Sequence, residues 1–226
     1  MIEMKVTSYR KQQLTALLTV FILFWGLLTN LTADDSPPHN VLVLGDSISS
    51  AYGLATEDGW VELLQEKLKE ENYQLNVVNA SITGDTSSNG LARLPDLLSE
   101  YQPALVIIEL GGNDGLRGLS IKKLKENLQT MAAKSKDIGA DVIITAVQLP
   151  GNYGKAYNKL FQQAFVTAAD ASGSVLVPSL FAGMDASAQW FQSDGIHPSA
   201  KAQPLMLANV WQKTEDLLEK LEAERK

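Results

Sequence analysis

The sequence of 226 residues contains no cysteine and only two histidines, His39 and His197. Without cysteine there is no thiolate nucleophile, no cysteine-ligated zinc or iron–sulfur cluster, and no disulfide, so packing alone must stabilise the fold. The sequence also lacks Gly-x-Ser-x-Gly, Gly-x-x-x-x-Gly-Lys, Gly-x-Gly-x-x-Gly and His-Glu-x-x-His. These absences argue against the common hydrolase elbow, nucleotide-binding loops and zinc peptidases.

Positive charge is scarce as well. The chain has 19 Lys and Arg against 26 Asp and Glu, a net charge of −7. Removing residues 1–33 takes away three positive charges and one negative charge, which brings the net charge to −9. Such an acidic surface repels nucleic acid and gives no electrostatic reason to bind an anionic bilayer, so we expect no nucleic-acid partner.

The only long apolar run, residues 14–28, is short for a membrane-spanning helix. Three basic residues precede it: Lys5, Arg10 and Lys11. A polar break follows, with Ala33 as the small residue for cleavage. The pattern predicts a signal peptide over residues 1–33, a linker at 34–40, and a periplasmic or secreted mature protein without a membrane span. An uncleaved anchor is the alternative.

The rest of the chain alternates buried strands with amphipathic helices. Five short apolar runs predict strands at 41–44, 75–78, 105–110, 142–147 and 175–177. Helical spacing of apolar residues recurs between them, at 60–68, 91–98 and 121–128, and a last amphipathic stretch runs from about 202 to 221. This alternation predicts one domain, residues 41–226, with a three-layer α/β/α sandwich of about five parallel strands.

Polar, glycine-rich clusters follow the predicted strands. The clusters are residues 45–49, 79–85, 111–114, 148–154 and, after a longer excursion, 194–198. Ligands of open parallel sheets bind at the carboxyl ends of the strands, so these clusters should meet at one edge.

A hydrolytic serine needs a base, and histidine is the natural one. His39 lies in the predicted linker, where a surface position is the simpler interpretation. His197 has Asp194 three positions earlier, near enough for the carboxylate to hold the ring and fix its tautomer. This spacing alone is weak evidence for a catalytic pair. It becomes stronger evidence if the two residues lie opposite the loop that contains Ser47. With His197 used as a base, a histidine-rich metal site cannot be built, and we expect no metal and no cofactor.

Each candidate residue also has a purely structural interpretation. Ser47 could cap a helix, since a strand-to-helix turn suits both a cap and a nucleophile. Gly84 could serve a tight turn, and the Asn113 side chain could bond its own loop, although both also suit an oxyanion hole. For Ser47 the cap and the nucleophile are equally supported, whereas for Gly84 and Asn113 taken individually the structural interpretation is favoured. Together, however, these residues supply a nucleophile, a base and hydrogen-bond donors at the ends of four strands. A need for turns alone does not readily explain that combination.

The clusters resemble the sequence blocks of the GDSL, or SGNH, hydrolase family. Residues 45–49 are similar to the first block, Gly84 to the second, residues 111–114 to the third and residues 194–197 to the fifth. Ile48 replaces the usual leucine of the first block, which is a conservative change. Longer stretches, VIIELGGNDGLRG and SDGIHP among them, resemble periplasmic, multifunctional ester and thioester hydrolases of this family.

The resemblance implies a flavodoxin-like fold with Ser47 as nucleophile, His197 as base and Asp194 as its orienting carboxylate. It implies an oxyanion hole made of the Ser47 and Gly84 amides and the Asn113 side chain. The expected substrates are small acyl esters and thioesters of the lysophospholipid, acyl-CoA or aryl ester type, hydrolysed by a monomer. Three alternatives remain: a carbohydrate O-acetyl esterase, a flavodoxin-like protein that binds a phosphate or flavin, and a membrane-anchored interaction protein with a vestigial triad.

The residue types near the triad favour an acyl chain over a sugar. Apart from glycines, the loops offer Leu116, Leu119, Leu149, Pro150 and Tyr153. A sugar esterase would need several hydrogen-bonding side chains around the alcohol. We therefore expect an apolar groove for the acyl chain, partly lined by the loop 148–154.

Overall fold

The computed structural model describes residues 40–185 and 189–224. The predicted signal peptide, most of the predicted linker, and His39 lie outside these ranges and stay predictions. Asn40 is an exception, because it is the first residue of a strand rather than part of a linker. It pairs in register with Asn76, and its carbonyl accepts a hydrogen bond from the Ala104 amide at 2.9 Å.

A five-stranded parallel sheet forms the centre of the fold, in the order β2-β1-β3-β4-β5. The strands are β1 (Asn40–Gly45), β2 (Asn76–Asn79), β3 (Leu105–Glu109), β4 (Asp141–Thr145) and β5 (Val175–Val177). The predicted number and direction of the strands are thus confirmed, with boundaries that shift by one or two residues. Every residue of β3 is buried, as expected for an apolar strand covered on both faces.

Helices cover both faces of the sheet. The helices are α1 (Trp60–Glu70), α2 (Ser87–Tyr101), α3 (Gly112–Leu116), α4 (Ile121–Asp137), α5 (Lys155–Ser172) and α6 (Gln203–Glu224). Helices α1 and α6 pack together in one layer, and α4 packs against both α2 and α5 in the other. The three-layer α/β/α architecture expected from the sequence is confirmed.

Local sequence explains where the helices begin and end. Thr86 caps α2 in a capping box with Asn89, in which each side chain accepts from the other residue's amide. Ser120 caps α4 through its hydroxyl oxygen, and α5 ends at Gly173 in the left-handed conformation. The apolar residues Leu94 and Leu98 of α2 are buried, as expected for one face of an amphipathic helix.

The strand order places the site. From β1 the chain crosses to β2 on one side and later to β3 on the other, so a crevice opens between the carboxyl ends of β1 and β3. The predicted polar clusters follow these strand ends. Within the described ranges, no helix is both long enough and apolar enough to cross a membrane.

Candidate active site

Ser47 lies in a tight turn just beyond the end of β1. In the described part of the chain no helix begins at Ser47; the next helical turn, a 3-10 turn, starts at Thr56. The side chain that accepts from the turn is that of Asp46, whose Oδ1 accepts the Ile48 amide at 3.0 Å. The side chain that bonds the backbone of this turn is therefore that of Asp46. The hydroxyl of Ser47 lies 3.0 Å from Nε2 of His197.

His197 and Asp194 lie in a loop between residues 191 and 198, which an antiparallel bridge closes. Oδ2 of Asp194 lies 2.6 Å from Nδ1 of His197, and Oδ1 accepts the backbone amides of Ile196 and His197. Burial alone would raise the pKa of Asp194, but these hydrogen bonds outweigh it and lower the pKa to about 2. The carboxylate is therefore charged at neutral pH and can fix the tautomer of the ring.

Gln192 joins this loop to the turn that contains Ser47. Its amide nitrogen Nε2 donates to the carbonyls of Tyr52 and Pro198, at 2.7 and 3.0 Å. The side chain fits because Gly53 has a positive φ of 77° and no Cβ; an added Cβ would lie 2.3 Å from Oε1 of Gln192. The Tyr52 ring lies 4.6 Å from the imidazole of His197, between centroids.

The backbone amides of Ser47 and Gly84 have no acceptor among the described residues. Gly84 has a φ of 85°, so its turn favours glycine, as the structural interpretation held. Nη2 of Arg117 donates to the Gly84 carbonyl at 3.0 Å and to Oδ1 of Asn113 at 3.3 Å. Arg117 thereby ties together the two residues that are predicted to complete the oxyanion hole.

Asn113 belongs to the short helix α3, which begins at Gly112, rather than to a loop as the sequence suggested. Its Nδ2 donates to Oδ2 of Asp46 at 3.1 Å, and its Oδ1 accepts from Arg117. Contacts at both ends of the amide fix its orientation. Asp46 uses only one of the two Nδ2 hydrogens, and the other has no acceptor among the described residues.

Asp46 is buried next to this site, with only 1% of its surface exposed. Burial raises the pKa of Asp46 to about 6, although hydrogen bonds from Ile48 and Asn113 and the nearby His197 act in the opposite direction. At neutral pH the carboxylate is charged and accepts from Asn113. Below about pH 6 it gains a proton.

This raised pKa predicts how stability depends on pH. A carboxyl group whose pKa is higher in the folded protein stabilises the fold below its unfolded pKa and loses that contribution as pH rises through the folded value. Relative to Asp46→Asn, the wild type should therefore lose on the order of 2 kcal/mol of unfolding free energy between pH 4 and pH 7. Urea denaturation of both proteins across this range tests it. A constant difference between them would contradict the assigned pKa.

A cavity of about 620 Å³ opens beside Ser47 and His197. Its apolar wall consists of Ile48, Leu116, Val147, Leu149, Pro150, Phe181, Met184, Phe191 and Ile196. Of the residues expected there, Leu116, Leu149 and Pro150 line the cavity, as does the loop 148–151. Leu119 does not, because it is exposed after α3, and Tyr153 does not, because its hydroxyl donates to the Leu116 carbonyl.

Several residues of the site were missed from the sequence. Asp46 and Arg117 lie inside or beside the recognised blocks, so their polar side chains were the available signal. The segment that supplies Phe181, Met184 and Phe191 has no periodicity, and nothing in its pattern points to the cavity. In the ranges that the structure describes, no three metal-ligating side chains come together.

The fold and the site define the class as a hydrolase that acts on esters. The chain belongs to the GDSL-like lipase/acylhydrolase family, whose model matches residues 43–204. The family resemblance read from the sequence is thereby confirmed.

Named relatives agree with this assignment. The chain is 49% identical to esterase TesA of Pseudomonas aeruginosa, over 83% of this chain and 94% of that protein. It is 39% identical to thioesterase 1/protease 1/lysophospholipase L1 of Escherichia coli, over 79% of this chain and 85% of the relative. A crystal structure of the psychrotrophic esterase EstA from a Pseudoalteromonas species, inhibited by monoethylphosphonate, superposes with a TM-score of 0.75 at 38% identity, covering 80% of this chain and 99% of that one.

Proposed function

We propose that the protein hydrolyses acyl esters and thioesters through an acyl-enzyme on Ser47, with His197 as base and Asp194 as its orienting carboxylate. The observation that supports this most is the hydrogen-bonded series from Ser47 Oγ to His197 to Asp194, at 3.0 and 2.6 Å, at the mouth of an apolar cavity. The inhibition of the related esterase EstA by a phosphonate also favours a nucleophile of this kind.

In the first step Ser47 Oγ attacks the carbonyl carbon while Nε2 of His197 takes the hydroxyl proton. Negative charge develops on the carbonyl oxygen, and the amides of Ser47 and Gly84 and the side chain of Asn113 stabilise it. The bond to the leaving oxygen or sulfur then breaks. His197 returns the proton to that atom, and the alcohol or thiol leaves.

In the second step water replaces the alcohol or thiol. His197 takes a proton from the water, whose oxygen attacks the acyl carbon and forms a second tetrahedral intermediate. This intermediate collapses by breaking the bond to Ser47 Oγ, which regains its proton from His197. The carboxylic acid is released, and no step draws on a cofactor.

The cavity supports an acyl chain as the part of the substrate that is bound. Most of its wall is apolar, and Phe181, Met184, Phe191 and Leu149 contribute to it. Lysophospholipids, acyl-CoA and aryl esters share an acyl carbonyl but differ in the group that leaves. We place the leaving group toward solvent, because a site that tolerates such varied alcohols and thiols cannot enclose them.

Acyl chain length should therefore control the rate. Each buried methylene contributes about 0.8 kcal/mol at most, so kcat/KM should rise severalfold from acetyl toward medium chains and then level off. We would compare acetyl, butyryl, octanoyl and palmitoyl esters of one chromogenic alcohol with the matching thioesters and an acetylated xylan oligomer. A preference for acetyl, with efficient release of acetate from the sugar, would overturn this substrate class in favour of a carbohydrate O-acetyl esterase.

Two variants locate the chain-length effect in the cavity. Leu149→Ala should flatten the rise of kcat/KM with chain length, because Leu149 lines the wall. Leu160→Ala is the matched control, since Leu160 is 61% exposed on α5 and is not among the lining residues. Equal chain-length profiles for the two variants would place the acyl chain elsewhere.

Export is part of the proposal. We propose that residues 1–33 act as a signal peptide and that the mature enzyme works as a periplasmic or secreted protein. The basic residues before an apolar run too short to span a bilayer support this. Amino-terminal sequencing of the exported protein tests it: the mature chain should begin near Asp34, and an intact leader on the exported protein would contradict cleavage.

A further inference from the structure

Glu109, the last residue of β3, lies beneath the turn that contains Ser47. Its side chain is completely buried. One carboxyl oxygen, Oε2, accepts the hydroxyl of Ser49 at 2.7 Å and the backbone amide of Asp46 at 3.4 Å. Neither the proposed triad nor the proposed oxyanion hole includes Glu109.

These two bonds bracket the nucleophile. They hold the residue just before Ser47 and the residue two positions after it. Gly45 permits this arrangement, because it pairs with Glu109 across the sheet and a Cβ on it would lie 2.6 Å from the Cβ of Ser49. Nε1 of Trp60 donates to the Ser49 hydroxyl at 3.2 Å and so supports the same contact from α1.

A second branch of the network runs toward the oxyanion side chain. Glu109 holds the amide of Asp46, and the carboxylate of Asp46 accepts from the amide of Ile48 and from Nδ2 of Asn113. One buried carboxyl group therefore contacts the turn that presents the nucleophile and, through Asp46, supports the proposed oxyanion donor.

A buried glutamate such as Glu109 is energetically unfavourable in the interior of a sheet. Its Oε1 is buried and has no hydrogen-bond partner within the described ranges. Burial, and then the negative charge of Asp46, raise the pKa of Glu109 well above its ordinary value. A leucine of similar size would fill the space without burying polar atoms. Packing alone therefore does not account for a glutamate here.

We infer that Glu109 is a positioning residue: from inside the sheet it fixes the turn that contains Ser47 and, through Asp46, the amide of Asn113. The inference rests on the proposed function, because it assigns Glu109 a role relative to the nucleophile and the oxyanion donor. Displacements of about 1 Å at a reacting group can cost on the order of a hundredfold in rate, so a supporting residue can have a large effect.

The test compares Glu109→Leu with Glu109→Gln. Leucine removes the acceptor for Ser49 and Asp46, so kcat should fall roughly ten- to a hundredfold with little change in KM. Glutamine keeps an acceptor oxygen on a side chain of nearly the same shape, so it should restore kcat to within about threefold of wild type. The rate at which a fluorophosphonate labels Ser47 should fall and recover by the same factors. Wild-type kcat in Glu109→Leu, or equally slow Leu and Gln variants, would overturn the inference.

Thr145→Val provides the matched control. Thr145 is buried at the carboxyl end of the neighbouring strand β4, and its hydroxyl donates only to the Ile108 carbonyl at 3.4 Å. This variant should change the melting temperature but leave kcat and the labelling rate within about threefold of wild type. A fall in its kcat as large as that of Glu109→Leu would mean that any buried change at these strand ends slows the enzyme, and would overturn the inference.

Ser49→Ala keeps the test decisive if Glu109→Leu does not fold. It removes the hydroxyl that donates to Glu109, so it should lower kcat severalfold without changing KM, and an unchanged kcat would overturn the inference.

The labelling rate separates this inference from the proposed function, because it needs no particular ester. Labelling without ester turnover in the wild type would contradict the function alone, whereas unchanged labelling in every Glu109 variant would contradict the positioning role alone.

Discussion

Ser47→Ala and His197→Ala should each lower kcat for any hydrolysed ester roughly 10⁴- to 10⁶-fold while the protein stays folded. The members of a catalytic triad act as a unit, so the loss of either one removes most of the contribution of all three. Neither side chain belongs to the hydrophobic core, so their truncation should change the melting temperature little. Ester turnover, circular dichroism and thermal unfolding of the purified variants measure these effects.

Two other variants serve as controls for this prediction. Ser50→Ala changes a serine three positions along the same turn and should keep kcat within tenfold of wild type. His39→Ala changes the only other histidine, which the sequence places in a linker, and should have no effect on turnover. Substantial turnover by Ser47→Ala would contradict the assigned nucleophile, and a loss of turnover in His39→Ala would contradict the assigned base.

Asn113→Ala should lower kcat about a hundred- to a thousandfold, which corresponds to roughly 2.7 to 4 kcal/mol of transition-state stabilisation. The free hydrogen on Nδ2 is the group that the substrate oxyanion would use, so KM should change little. Removal of the side chain also leaves Asp46 and Arg117 without a shared partner. Because Asn113 is partly exposed, we expect only a small fall in the melting temperature.

Asn127→Ala is the matched control for this asparagine. The Asn127 amide is buried, and it donates to the hydroxyls of Ser87 and Ser88, between α4 and α2 and away from the cavity. Its loss should lower the melting temperature by several degrees and leave kcat within about threefold, the opposite of the pattern for Asn113. A large loss of stability with nearly normal kcat in Asn113→Ala would show that the structural interpretation of Asn113 is correct.

The architecture could be predicted because its determinants are local. The β-branched runs of β1, β3 and β4 are buried on both faces, and such runs have few alternatives to a central parallel strand. Each strand is followed by a helix and then by the next strand. Such connections pair the strands in parallel through right-handed crossovers. Boundaries were less certain, because Asn40 joins β1 through pairing with Asn76, and nothing in the composition of the segment marks that contact.

The meeting of Ser47, Asp194 and His197 followed from the strand ends and the block pattern. Their roles could not be separated from capping by sequence alone, because an Asp-Ser turn can bond to the backbone through either side chain. The structure assigns that bond to Asp46. Likewise, Asp194 accepts the His197 backbone amide of its own loop and also contacts the His197 ring, so the spacing of these two residues serves the local turn as well as the ring.

Contacts between segments that are distant in the sequence could not be predicted from sequence patterns. Gln192 reaches Tyr52 across 140 positions, and Glu109 reaches Ser49 across 60. In the sequence each of these is an ordinary polar residue, since helical or strand periodicity carries no information about which loop it will contact. The apolar wall supplied by Phe181 and Phe191 was missed for the same reason.

Acylation of Ser47 is the step on which the proposed mechanism depends most directly. A fluorophosphonate attacks an activated serine and leaves a stable adduct, so peptide mass spectrometry of the labelled protein identifies the nucleophile. We predict one adduct, on Ser47, that forms in the wild type, is absent from Ser47→Ala, and is prevented by a medium-chain ester substrate. An adduct on any other residue, or no adduct on a protein that hydrolyses esters, would contradict the account.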